Sequence, residues 1–527
     1  MKRPVPARGL FFILLVVSLA YTLPAYNKYW APYDEGIITV ASQCLLAGEL
    51  PYKDFFIIMY PPGQIYFLAF LFKIFSFSLT AGRIYTVLLS VGISLLVFYM
   101  TLMLTKRRLI SLLSWFFVLV SLAPRLGAIP SPIWPGVFLG LLTIYVYMRY
   151  LENPKYSYII LAGIIAGLAV LFRHDIGIFA IASVLGSLFI MAIRDKKAIG
   201  RAAVFSASAF VVITPCIAYF VSKSASRDLM KSLIFFPFIH QKTASLPFPA
   251  PCFNPNMIFH GSLSFIKINQ YYIPILVYFF AFIYLVSRLF KKELYKGENL
   301  ALVSILLFGI FTFNQVITRT DPAHLLTVIQ PAAILFGFLA HKALLQEPSP
   351  WIKKAPLYAA VAILLFLFML LSVKNMDKYV KNNFRKVYKK DVIKTQFDRG
   401  SIYVPKDERE EVLKTLRFIK KNTSSGERIY IGNIVHWKDD YNGSILLYFL
   451  ADRLPATKYY EQAPGLLARA GVQEEIRDSL AKHKTKLLVL QDIVLPRSRG
   501  DSLLDVFIRK NYKFVKKFGK YNIYLKK

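Results

Sequence analysis

Hydrophobic positions in this chain do not alternate with polar ones over most of its length. They run together in stretches long enough to cross a lipid bilayer. A spanning helix needs roughly 20 apolar residues, because lipid offers no partner to an exposed backbone N–H or C=O. Runs of that kind are predicted at 10–26, 82–104, 109–123, 133–149, 157–172, 176–193, 202–222, 270–290, 299–317, 324–344 and 355–373. A twelfth apolar stretch, 62–78, is interrupted by Lys73. From Lys374 onward the pattern changes to short mixed periods. Residues 407–422 read as an amphipathic helix, 428–431 as a strand, 443–451 and 472–483 as helices, and Leu487 to Leu490 as a buried strand. A helix at 501–510 and strands at 512–517 and 521–525 follow. This alternation predicts a small α/β layered domain.

The expected fold class is therefore a polytopic α-helical membrane protein of about eleven membrane helices, residues 1–373, with a soluble α/β domain at 374–527. Composition agrees: 56% of the 527 residues are hydrophobic and only 18% charged. Met1 to Val373 holds twelve of the 30 acidic residues, and the remaining eighteen follow Val373. The basic start and long apolar run of Met1 to Ala25 lack a small-x-small cleavage site and read as an uncleaved first helix.

The formal charge of +35 raises the question of nucleic acid. Much of the excess instead sits in clusters at the ends of apolar runs, such as Lys106-Arg107-Arg108, Arg194 to Lys197 and Lys291-Lys292. Clusters so placed fix topology and meet anionic lipid, so no nucleic-acid partner is expected. They also decide the stretch 62–78. With a cytoplasmic N-terminus, a crossing there puts these clusters outside; without one, all fall inside together with Lys353-Lys354. The stretch is thus expected to be an interfacial helix within a long external loop, 27–81, and the C-terminal domain extracytoplasmic. The three cysteines, Cys44, Cys216 and Cys252, have no CxxC spacing and suggest neither a zinc site nor a disulfide framework.

This threading sorts the acids. Glu152, Asp195, Glu293, Glu298 and Glu347 fall inside beside basic residues, as solvated loop charges. Asp34, Glu35, Glu49, Asp54, Asp175, Asp228 and Asp321 fall outside, several in compact polar motifs at helix ends. Asp34 and Glu35 follow the first helix closely; they suit a general base, a metal ligand or both, while Asp34 also suits a helix N-cap. Asp54 follows in Pro51-Tyr52-Lys53-Asp54-Phe55, then the rigid turn Tyr60-Pro61-Pro62-Gly63, then Arg83 at a helix end, where a cation can pair with phosphate. Arg173-His174-Asp175 interrupts two apolar runs almost without a loop. Arg319-Thr320-Asp321-Pro322-Ala323-His324 does the same further on. Ionisable groups at such depth are commonly partnered and functional. His240 and His260 stand in the loop 223–268 with no motif around them.

Together these motifs resemble the polyprenyl-phosphate-dependent glycosyltransferases of the GT-C superfamily, nearest to bacterial relatives of protein O-mannosyltransferases and of the aminoarabinose transferases of lipid A. The resemblance is carried by Asp34-Glu35, Gly48-x-x-Pro51-Tyr52-x-Asp54, Tyr60 to Gly63, Arg83, Leu171 to Asp175 with Gly177, and Arg319-x-Asp321-x-x-His324-Leu325. It covers about 1–345. The segment Ala451 to Tyr460 also looks like tails of bacterial members. The resemblance implies transfer of a sugar from a polyprenyl-phosphate donor, with inversion, to an extracytoplasmic protein, lipid or glycan acceptor. Asp34 would be the base, with Glu35 supporting it or helping to hold a divalent metal. Asp54, Arg83, Arg173, His174, Asp175, Arg319, Asp321 and His324 would serve donor phosphate and substrate. A transporter or flippase of lipid-linked sugars would place its charges near mid-membrane on broken helices. A polymerase or ligase would place arginines in a large external loop, and 223–268 holds only Arg227.

Overall fold

The computed structural model of the protein describes residues 8–122, 129–238, 245–252, 254, 262–345, 351–436, 444–463, 466–492 and 502–527. His240, His260 and Glu347 lie outside the described residues. Every one of the eleven long apolar runs is helical: α1 (Arg8–Thr22), then, after two shorter helices α2 (Asp34–Leu46) and α3 (Gly63–Phe75), α4 (Leu79–Thr105), α5 (Arg108–Leu122), α6 (Ile133–Glu152), α7 (Tyr156–Phe172), α8 (His174–Ala192) and α9 (Lys197–Ser222). The short α10 (Ser226–Met230) and α11 (Ser262–Asn269) precede α12 (Tyr272–Phe290) and α13 (Gly297–Thr318). A single turn, α14 (Pro322–Leu325), leads to α15 (Ile329–Leu345) and α16 (Trp351–Val380). Among the described residues, α4, α8, α9, α12, α13 and α16 are long and apolar enough to cross a membrane by themselves. The chain is a membrane protein.

Helix α3 has 13 residues, about 20 Å at 1.5 Å per residue, too short for a hydrocarbon core of about 30 Å. It stays at one end of the bundle. Ser42 Oγ of α2 donates to Ile65 O at 3.1 Å, and a Cβ on Gly63 would stand 2.5 Å from Leu171 O at the end of α7. The hairpin between α7 and α8 is as tight as its sequence suggests. Arg173 alone is extended, and a Cβ on Gly177 would meet Val170 N at 2.3 Å.

Helix α16 runs past the end of its apolar run at Val373. It continues to Val380, with a wide turn and a last helical turn at Lys386–Tyr388. The sheet domain then begins with a hairpin, β1 (Val392–Phe397) and β2 (Gly400–Pro405), that the sequence pattern did not reveal. Helices α17 (Lys406–Asn422), α18 (Leu446–Ala451), α19 (Ala470–Lys482) and α20 (Leu503–Asn511) alternate with β3 (Arg428–Asn433), β4 (Leu454–Pro455), β5 (Leu487–Gln491), β6 (Tyr512–Phe518) and β7 (Tyr521–Lys526). The main sheet has the order β4-β3-β5-β7-β6, with β3, β4 and β5 parallel and the last pair antiparallel.

This domain seats on the loop 27–78 and shares a core with it, in which Ile37, Val40, Tyr52, Leu68 and Phe72 meet Ile402, Ile431, Tyr448 and Phe449. Backbone bonds cross the boundary from Leu446 N to Pro32 O (2.9 Å), Tyr403 N to Asn27 O (2.9 Å) and Leu79 N to Arg399 O (2.9 Å). Glu49, one of the acids expected on the external side, pairs with Arg428 of β3. The opposite end of the bundle carries ordinary surface pairs: Lys106–Glu152, Arg201–Asp195, Arg288–Glu293 and Lys342–Glu298.

Gly36 marks the closest approach of the two parts. A Cβ there would lie 2.6 Å from Leu446 N and 2.8 Å from Ile445 Cβ, and neither backbone can yield easily. Gly36→Ala should therefore cost about 1–3 kcal/mol of overpacking, read as a lower melting temperature and faster proteolytic release of the sheet domain. An unchanged melting curve would show that the two parts are not locked at this point.

Candidate active site

Adjacent residues on a helix point about 100° apart, and this separates the two acids at the start of α2. Glu35 turns inward and is fully buried. Its carboxylate takes a two-pronged ion pair from Arg83 of α4, Nε to Oε1 at 2.7 Å and Nη2 to Oε2 at 2.6 Å. The same guanidinium donates to the carbonyls of Tyr26 and Tyr29, both at 2.9 Å. The pair thus fixes the chain leaving α1, the start of α2 and the first turns of α4 to one another. Each side chain is occupied by the other, so the arrangement corrects two expectations: Glu35 is not positioned as a metal ligand beside Asp34, and Arg83 does not face a phosphate.

Asp34 takes the other direction. Its carboxylate reaches a cavity of about 370 Å³ that is also lined by Tyr29, Ser121, Gln270, Arg319, Asp321, Asn375 and Lys378. The remaining lining is apolar: Leu325, Leu326, Ile329 and Leu371 among others. The N-cap of α2 is Tyr33 and Asp34 is already its first helical residue, so the capping alternative does not hold. Surrounding protein raises its pKa above the ordinary carboxylate value; Arg319 and His324 pull it down, and Asp321 pushes it up.

Asp321 is tuned the opposite way. It caps α14, accepting from Ala323 N at 2.8 Å and His324 N at 3.0 Å, and it bonds His324 Nδ1 at 2.9 Å and Arg319 Nε at 3.1 Å. Burial favours its neutral form, but the His324 and Arg319 contacts and the backbone N–H outweigh this and hold it at about 2. Two carboxylates pushed apart in this way commonly divide into one that titrates and one that stays charged. Asp321 is the fixed anion that aims Arg319 and His324.

The residues of the Arg173 motif are not among those that line this cavity. Arg173 Nε meets Asp175 Oδ1 at 2.8 Å, Gln315 of α13 donates to Asp175 Oδ2 at 3.1 Å, and the guanidinium stands 5.5 Å from the centre of the Tyr60 ring. The Tyr60 hydroxyl is raised to about 12 by burial, eased by Arg173 and reinforced by Glu461, Asp34 and Asp175. Tyr60 thus stands against Arg173 and within electrostatic reach of Asp34. His174 holds a buried Nδ1 with no hydrogen-bond partner among the described residues. Asp54 is not part of the site: it is exposed and closes its own turn by accepting from Leu50 N at 2.8 Å.

Five residues escaped the sequence reading. Lys378 and Asn375 follow the end of an apolar run, yet their spacing after Leu371 keeps them on one face of a continuing helix, and that spacing was the available signal. Gln270 and Tyr29 carried none. Glu461 arrives from the sheet domain, 427 positions from Asp34 in sequence. As to a metal, Glu35 is taken by Arg83, and no cluster of three or more His, Cys, Asp or Glu able to hold one occurs among the described residues. The residues at hand do not fit the divalent site that the paired acids suggested. Cys44, Cys216 and Cys252 are free thiols.

Residues 60–232, about a third of the chain, match the model of a family described as dolichyl-phosphate-mannose-protein mannosyltransferase. No curated protein sequence matches the chain. Among solved structures it is similar to ArnT from Cupriavidus metallidurans bound to undecaprenyl phosphate, at 13% identity and a TM-score of 0.57, with 98% of each chain covered. It is also similar to the oligosaccharyltransferase AglB from Archaeoglobus fulgidus in complex with an inhibitory peptide and a dolichol-phosphate, at 12% identity and a TM-score of 0.52, covering 92% of this chain and 69% of that one. The likeness is one of fold, and in the first of these structures it runs over nearly the whole chain, sheet domain included.

Removing one partner of a buried ion pair strands the other charge, at a cost of about 3–5 kcal/mol. Glu35→Gln should lower the melting temperature of the detergent-purified protein accordingly. The double variant Glu35→Gln/Arg83→Met should recover much of that loss, since it strands no charge. Equal loss in both variants would mean that the pair does not carry the packing of α2 on α4.

Proposed function

We propose that the chain is a membrane glycosyltransferase that moves a sugar from a polyprenyl-phosphate donor to an extracytoplasmic acceptor. The observation that carries this reading is the cavity itself. At one place it offers a carboxylate of raised basicity, Asp34, and a guanidinium aimed by a permanently charged acid, Arg319 on Asp321. Beside them the wall becomes apolar, at Leu325, Leu326, Ile329 and Leu371. A lipid phosphate has that same division into a charged head and a hydrocarbon tail.

In this reading Asp34 takes the proton from the acceptor's nucleophile as it attacks the sugar carbon. The bond to the phosphate oxygen breaks on the opposite face, giving inversion, and polyprenyl phosphate departs with the electron pair. Arg319 and Lys378 supply positive charge where that charge develops. No metal is needed to balance the step. The face carrying Asp34, Arg173 and Arg319 is the extracytoplasmic one, and the domain after α16 closes over it. That placement follows the basic clusters at the opposite end of the bundle. Charges gathered at one face, rather than on broken helices at mid-membrane, favour transfer over transport of the lipid-linked sugar.

Reconstitution with a radiolabelled polyprenyl-phosphate sugar tests the reading. General-base help is worth about 10²–10⁴-fold in rate, so Asp34→Asn should lose transfer on that scale; full transfer by this variant would remove Asp34 from its role. The pH profile adds an independent check. Transfer should fall as pH drops through the raised pKa of Asp34. Because Arg319 lowers that pKa, Arg319→Gln should move the acid limb to higher pH, and a limb unmoved or moved downward would break the assignment. A reporter fused after Lys527 should report the extracytoplasmic side.

A further inference from the structure

Residues 456–463 form a strap that leaves the sheet edge and lies across the first loop. Ala456 N bonds Ile429 O of β3 at 2.8 Å, and Phe56 N of the loop bonds Lys458 O at 2.8 Å. Tyr460, wholly buried, donates its hydroxyl to Ile37 O of α2 at 2.8 Å. Gln462, equally buried, donates to Tyr430 Oη at 3.0 Å and accepts from Asn433 N at 3.2 Å. Between these two anchors stands Glu461, only 3% exposed. Its Oε2 accepts from Ile58 N at 3.1 Å, and its Oε1 faces the Tyr33 hydroxyl at 3.5 Å. Among the described residues no lysine or arginine forms an ion pair with it.

A carboxyl buried without a cation is costly when ionised. A glutamine would accept the same Ile58 N–H at less cost, so packing alone gives no reason for an acid here. We infer that Glu461 is a positioning residue of the transfer site, carried by the sheet domain to the back of Tyr33, where its charge sets the field felt by Asp34 and by an anionic donor. This rests on the glycosyltransferase reading above. Burial raises the pKa of Glu461 to about 8; the Ile58 N–H and Tyr33 hydroxyl work against the rise and Asp34 adds to it. The titratable groups around it are Tyr33 and Asp34 at the start of α2 and Tyr60 in the turn before α3, with Arg173 beyond the Tyr60 ring. At neutral pH Glu461 is mainly uncharged. As pH rises through about 8 it adds a negative charge behind Tyr33, and an anionic donor is repelled.

The test is steady-state transfer by the full-length reconstituted protein from about pH 6 to about pH 9, with kcat and KM for the lipid-phosphate sugar separated. Wild type should show KM rising several-fold through the alkaline half of the range while kcat changes little. Glu461→Gln, which keeps the shape and the Ile58 bond, should hold KM flat. Glu461→Asp, which keeps an ionisable group but shortens its reach, should restore the rise at a displaced pH. The inference is overturned if Glu461→Gln follows the wild-type KM curve, or if Glu461→Asp shows the rise at an unchanged pH; the second comparison stands even where the glutamine variant does not fold. Asp34→Asn, run alongside, separates the two claims. Full transfer by that variant defeats the functional reading, whereas its loss of transfer with an unaltered Glu461→Gln curve defeats only the role of Glu461.

Discussion

The buried ion pair between Glu35 and Arg83 is the constraint on which the site depends. A guanidinium offers several donors in one plane, and here they go to both carboxylate oxygens of Glu35 and to the carbonyls of Tyr26 and Tyr29. Such a pair tolerates little change of geometry, because each charge has given up water for the other. It therefore fixes where α2 begins and how it is rotated. With Glu35 turned inward, Asp34 must turn outward, into the cavity. The acid with the chemistry is placed by the acid beside it.

Around that fixed point the charges fall into two kinds. Asp321, capped and paired, stays ionised and holds Arg319 and His324 in place. Among the described residues no cation forms an ion pair with Asp34, which is left with a raised basicity. One part of the cavity wall is apolar and belongs to α14–α15 and α16; the other is polar and belongs to α2, the α13–α14 turn and the C-terminal turns of α16. A water-soluble sugar nucleotide would find little use for the apolar wall. A lipid-linked donor uses both. The sheet domain shares a core with the first loop and brings Glu461 to the same neighbourhood, so it belongs to the site as much as to the surface.

Much of this was legible in the chain. Length alone made the eleven apolar runs helices, and the sidedness of the basic clusters, with Lys73 in the stretch itself, marked 62–78 as a helix that does not cross. Strands β3 and β5 were each legible as short apolar runs, though their parallel pairing was not. What the pattern hid has physical causes. The apolar run of α16 stops at Val373 because Asn375 and Lys378 line the cavity and Lys374 bonds Gln270, although the helix itself continues to Val380. Asp34 and Glu35 look equivalent as neighbours, and only the partner on α4 decides which of them is free. Asp54 looked like a substrate-binding acid, but it closes its own turn, and Glu49 in the same loop is paired by β3. Glu461 and the strap around it depend on a contact across more than four hundred positions, which no local period records.

The central claim is that the cavity beside Asp34 receives the phosphate of a lipid-linked donor. A structure of the protein in complex with polyprenyl phosphate measures this directly. The account predicts the phosphate within hydrogen-bond reach of Arg319, near Lys378, and the first isoprene units against Leu325, Leu326, Ile329 and Leu371. A phosphate bound at the opposite end of the bundle, or one that displaces Glu35 from Arg83, would contradict it.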